Sequence, residues 1–161
     1  MRCTECDIGE LEQLLGRYQL NLQLLESGQD IPGSFWGAPE AGLIQQNVYI
    51  RPDTPIHSLL HESCHVVCMN HERRICLHTD AGGRTPAEEN AVCYLQILLS
   101  DQVGKFGKNR ALLDMDRWGY SFRLGSAHRW FEEDAEDARQ WLLAKGLIDS
   151  DNQPTYRLRM D

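Results

Sequence analysis

The sequence predicts an α+β fold, mainly helical with a small sheet, in a single domain over residues 1–161. Three observations lead there. Apolar residues recur at helical spacing through most of the chain. One stretch, 43–51, is enriched in β-formers toward its second half. No internal repeat, low-complexity tract or linker divides the 161 residues, and a core of this size buries roughly 68–70% of the unfolded surface without disulfides.

The elements follow in order. Ile8, Leu11, Leu14, Leu15, Tyr18, Leu22 and Leu25 form a stripe that predicts an N-terminal helix over 8–27, ended by Ser27-Gly28. Six Gly and Pro residues make 28–42 a loop, and 43–51 reads as one strand. Thr54-Pro55 opens a helix to about 69, and Asn70 or its successors end it. After a connection over 71–85, Thr85-Pro86 opens a second helix to about Val103. A shorter helix is expected over 109–117 and an aromatic turn or short strand over 118–125. A last long helix is capped by Ser126 and closed near 145 by Gly146, completing a helical C-terminal part over 109–146. The tail from 150 is polar and expected to be irregular.

Composition excludes several classes of function. A net charge of −8, with no basic patch, argues against non-specific nucleic-acid or anionic-membrane binding. No apolar run approaches the ~20 residues that span a bilayer, and the first residues carry no apolar signal region. The expected compartment is therefore cytoplasmic, with the six cysteines reduced. Cys3 and Cys6 form a lone CxxC, read as free thiols at a mobile terminus. Cys64, Cys68 and Cys93 lie in helical segments, where free cysteine behaves as a small buried hydrophobe.

The informative segment is His61-Glu62-Ser63-Cys64-His65, an HExxH motif behind a helix start. Residues four apart share a helix face, so two imidazoles can grip one zinc ion, with Glu62 beside it as general base. Leu59, Leu60, Val66 and Val67 supply apolar walls. A third protein ligand is needed, and three residues compete. His71 follows His65 by six residues, but Cys68 stands where that pattern needs a glycine, and no Met turn is identifiable. Glu88 and Glu89 open the next helix. The stripe Ala91, Val92, Leu95, Leu98, Leu99 is centred about 25° from Glu88 and about 120° from Glu89. Glu88 therefore points inward, where a metal would offset the cost of its burial, and it is the favoured ligand. As the third helical residue it could instead close a capping box on Thr85.

His61-Glu62-x-x-His65 followed by Glu88-x-x-Ala91 resembles the gluzincin branch of the zincin metallopeptidases, more distantly its ImmA/IrrE-type and minimal members. The resemblance covers about residues 43–103. It departs from the family pattern at Val92 and in the polar Ser63-Cys64 interior. It implies a zincin-like fold with an active-site helix and a glutamate helix, Zn²⁺ held by His61, His65 and Glu88, and Glu62 activating water for hydrolysis of a peptide or protein substrate. It also implies that the strand at 43–51 pairs with extended substrate, with Gln45, Gln46 and Asn47 at the rim. Tyr120, His128 and Arg123 are the candidates for stabilising the oxyanion. His78 and Asp80 could contribute from the loop, Asp80 by orienting an imidazole, and His57 lies one turn before His61. The competing expectation is a zinc-holding regulatory or binding module with little proteolysis.

Overall fold

The computed structural model describes residues 1–161. Seven helices and a three-stranded sheet enclose one hydrophobic core. The helices are α1 (Ile8–Gly16), α2 (Ile56–Cys68), α3 (His71–Ile75), α4 (Pro86–Ser100), α5 (Gly107–Arg117), α6 (Ala127–Glu133) and α7 (Glu136–Ala144). The strands are β1 (Asn21–Leu24), β2 (Gly42–Ile44) and β3 (Asn47–Ile50), and no helix is long and apolar enough to cross a membrane. The α+β, mainly helical class is as the sequence predicts.

α2 and α4 form the principal helix pair and set the geometry of everything functional. Leu59, Leu60, Cys64 and Val67 of α2 and Ala91, Val92 and Leu95 of α4 are buried in the core between the sheet and the outer helices. α4 is the hub, packed also on α5 and α7. Its start is as expected: Thr85 Oγ1 accepts the Glu88 N–H at 3.2 Å, and Pro86 takes the first turn. The start of α2 is not. Thr54 turns back to accept the Arg51 N–H at 2.9 Å, closing the turn after β3, and Pro55 holds the N-cap position without a side-chain bond. Asn70 does not end α2 but caps α3, accepting the Arg73 N–H.

The expected helix over 8–27 stops at Gly16. Gln19 adopts a left-handed turn (φ 61°), and Asn21–Leu24 joins the sheet instead. The alternation Leu20, Leu22, Leu24 competes with the helical stripe there, and pairing with β3 satisfies its backbone. The single strand expected over 43–51 is a hairpin. Gln45 (φ 52°) and Gln46 form its turn, β2 pairs antiparallel to β3, and β3 is central between β2 and the parallel β1. The last helix is broken at Asp134 and Ala135, where the Asp134 carboxylate is tied to Arg123. Cys3 and Cys6 are not at a mobile terminus. Both are buried, in and just after a 3₁₀ turn whose Cys3 N–H bonds the Thr54 carbonyl. Cys64, Cys68 and Cys93 are buried and free, as expected.

The outer edge of β2 is sealed by the chain itself. Leu43 donates to the Gly33 carbonyl, Thr79 donates to Leu43, and Gln45 donates to Leu77. The two backbones meet so closely that a Cβ on Gly42 would lie 2.0 Å from the Pro32 oxygen, which only glycine avoids. The expected pairing of substrate with this strand has no free edge to use. Gln45 and Gln46 face a separate cleft of about 650 Å³ that also holds His71 and Tyr156.

Candidate metal centre

Helix α2 places His61 and His65 one turn apart on the face turned to the start of α4. Their Nε2 atoms are 3.1 Å apart. Glu89 reaches in from α4 with Oε1 3.4 Å from His61 Nε2 and 3.7 Å from His65 Nε2. Tetrahedral zinc with bonds of about 2.0–2.1 Å separates its ligand atoms by about 3.3–3.4 Å, so the three donors stand at the spacing one ion requires. The triad is His61, His65 and Glu89.

Glu88 is not brought to the histidines. The helical angle was right, because its side chain is 6% exposed while that of Glu89 is 42% exposed. What offsets the burial is a pair of guanidiniums, not a metal. Arg73 Nη1 lies 2.5 Å from Oε1, and Arg159 Nη1 lies 3.2 Å from Oε2. Both partners come from outside the motif, one on α3 and one 71 residues downstream in the C-terminal tail. The structure thus groups Glu89 with the two histidines, whereas Glu88, the ligand expected from the sequence, is held by Arg73 and Arg159. His71 also stays away, at the start of α3 beside the larger cleft.

The surroundings fix the imidazoles. Gln96 Nε2 donates to the His57 carbonyl at 3.0 Å, so its Oε1 must face His61 Nδ1, also at 3.0 Å. That acceptor places a proton on His61 Nδ1 and turns Nε2 toward the centre. His65 Nδ1 is buried without a partner. Burial, aided by His61, pushes His65 down to about 3. Glu89 is held at about 2: burial works against this, but the hydrogen bond from His61, the charges of both histidines and the Gly83 N–H outweigh it. Gly83 donates to Glu89 Oε2 at 3.1 Å, and a Cβ there would sit 2.8 Å from that oxygen. The loop carrying Gly83 is anchored by Arg73 through the Gly82 carbonyl at 2.8 Å.

Glu62 lines both clefts that open onto the triad, of about 260 and 280 Å³. Its carboxyl is raised to about 7, chiefly by burial; His61 opposes this, while Glu40, Glu89 and Asp80 add to it. No family model, curated protein or solved structure matches this chain. Of the oxyanion candidates, only Tyr120 reaches the centre, its ring 5.3 Å from that of His61. Arg123 is paired with Asp134, and His128 is exposed on α6. Asp80 lines the cleft over the triad, whereas His78 bonds its neighbour Thr79 and bridges to Ile44.

Gln96 and Gly83 are the residues sequence reasoning missed. Gln96 had a readable signal, a polar side chain one turn on from Val92 inside the apolar run 91–99. Gly83 had none, because its role depends on where the loop lands.

Proposed function

We propose that the chain is a zinc-dependent metallopeptidase, with His61, His65 and Glu89 as metal ligands and Glu62 as general base. The convergence of three donor atoms at zinc spacing, with a half-buried carboxyl beside them, carries this reading. A bound Zn²⁺ supplies Lewis acidity, acidifying water and polarising a carbonyl. The chain's own residues do the rest. Gln96 holds the His61 ring, Gly83 holds Glu89, and Glu62, poised near neutrality, takes a proton from water and returns it to the leaving amine. Tyr120, which lines the same cleft beside His61, is the candidate donor for a developing oxyanion.

One observation favours a second reading, a metal-holding binding or regulatory module. The β2 edge, where an extended peptide would pair, is occupied by the chain's own Gly33 and Thr79. Both readings are tested together by metal analysis and a mixed-peptide digestion on wild type and Glu62→Gln. The peptidase reading expects about one zinc per chain in both proteins, with cleavage in wild type alone. Zinc in both and cleavage in neither favours the module. Zinc in neither removes both readings.

A further inference from the structure

The 280 Å³ cleft beside the triad carries, besides His61, Glu62 and Tyr120, residues that the hydrolytic machinery does not use. Its walls are Trp36, Trp118 and Tyr120, its floor is His57, and Glu40 stands at its side. It shares Trp36, His61 and Glu62 with the cleft over the triad, so the two form one continuous channel. Trp36 is 78% exposed and Trp118 49% exposed, far more than large aromatics that merely pack.

Three features converge on one kind of occupant. First, no lysine or arginine lines the channel, and outside the metal centre and its general base it carries two further carboxylates, Glu40 and Asp80. Low-dielectric walls focus such a one-signed field and attract cations. Second, three aromatic rings border one small space, and ring faces attract ammonium and guanidinium groups. Third, His57 is 2% exposed, yet neither of its ring nitrogens has a hydrogen-bond partner. Its ring lies 4.9 Å from Trp118 and 5.8 Å from Tyr120, centroid to centroid. A buried imidazole left unpaired is costly, and a ligand donor would satisfy its lone pair. Burial pushes His57 down to about 4, so it is neutral and does not repel a cation.

We propose that this cleft is the specificity pocket for a basic side chain, lysine or arginine, of a peptide substrate. The cation lies against Trp36, Trp118 and Tyr120, with Glu40 as counter-ion and His57 as hydrogen-bond acceptor. This rests on the metallopeptidase reading for its substrate class. An apolar side chain would leave Glu40 and His57 unsatisfied, and an acidic one would meet Glu40 and Glu62.

The test uses blocked pentapeptides, alanine around a central lysine, arginine, norleucine or glutamate. Binding to the zinc-loaded chain is read by tryptophan fluorescence, and cleavage by mass spectrometry in the same samples. Lysine and arginine peptides are expected to bind roughly tenfold more tightly than norleucine, the ratio that 1.4 kcal/mol produces, with glutamate weakest. Glu40→Gln and His57→Phe are each expected to bring the lysine-to-norleucine ratio toward one. His57→Phe keeps the ring and removes the acceptor, and circular dichroism checks that both variants fold. Equal binding of lysine and norleucine overturns the proposal, as does a lysine preference that survives both substitutions. Selective binding without cleavage of any peptide leaves the pocket standing and removes the peptidase reading. Cleavage without side-chain preference does the reverse.

Discussion

Glu88 and Glu89 are adjacent in sequence, and the structure gives them opposite work, so exchanging their roles is the sharpest test of the site. Glu88 sits between two guanidiniums, Arg73 at 18% exposure and Arg159 at 17%. Removing its charge strands both. Breaking a buried ion pair costs about 3–5 kcal/mol, and because the arginines retain some water the lower figure, about 3 kcal/mol, applies here. For a chain of this size that is a fall in Tm of roughly 6–12 °C. Glu88→Gln is therefore expected to be clearly less stable yet still to bind zinc. Glu89→Ala removes a partly exposed carboxylate (42%) that accepts the Gly83 N–H and faces both histidines, so its metal-free stability should fall by about 1–2 kcal/mol, less than in Glu88→Gln. Its zinc affinity should fall by more than the roughly 10–100-fold that loss of a supporting residue costs. Thermal melts of the metal-free proteins, with zinc titrations against a chelating competitor, separate the two effects. A folded Glu88→Gln that has lost zinc, beside a Glu89→Ala that retains it, would refute the assignment.

Further outcomes follow from the same geometry. Gly83→Ala places a Cβ 3.0 Å from the Glu89 backbone N and 3.2 Å from its Cα, where nothing flexible can give way; zinc affinity should drop roughly 10–100-fold with the helical circular dichroism retained. Gln96→Leu removes the acceptor of His61 Nδ1 and should weaken zinc by a similar roughly 10–100-fold, measured by the same competition. The Glu62 carboxyl is raised from 4.5 to about 7 in the metal-free fold, so the stability tied to its protonated form is full below pH 4.5 and is lost as pH rises through 7. Glu62→Gln should then be more stable than metal-free wild type by roughly 2–3 kcal/mol at pH 8 and by almost nothing at pH 4, as denaturant melts would show. In the zinc form, kcat/KM should rise with pH as Glu62 ionises, with the acid limb at or below 7 because the ion's charge favours the carboxylate.

Local signals carried far in this chain, and failed where distant partners intervene. The Thr85 cap, the α2 and α4 helices and the inward face of Glu88 all follow from spacing within one turn or a few. What local pattern could not supply was the identity of the groups meeting Glu88. Arg159 arrives from a tail that reads as irregular, yet its N–H bonds the Val67 carbonyl and its guanidinium reaches the Cys68 carbonyl as well as Glu88. The sheet failed for a similar reason. Leu22 suits both a helical stripe and an alternating strand, and the choice between them was made by β3, more than 20 residues away. Nor does a Gln45-Gln46 turn carry the glycine or asparagine that marks most two-residue hairpins.

Being buried and being a ligand are separate properties, and this centre keeps them apart. A carboxylate facing the core of α4 would be held by the core; one about 100° around the helix faces the gap between α2 and α4, where the histidines are. Glu88 uses its burial to bind Arg73, which in turn anchors the Gly82 carbonyl, and the next residue, Gly83, grips Glu89. The inward glutamate thus acts on the centre through the loop, positioning the outward one. The chain of contacts ties α3, the 79–83 loop, the C-terminal tail and the start of α4 into one support, which leaves Glu89 partly exposed but restrained. A carboxylate so placed could meet an ion arriving from solvent without the desolvation that a fully buried ligand would demand.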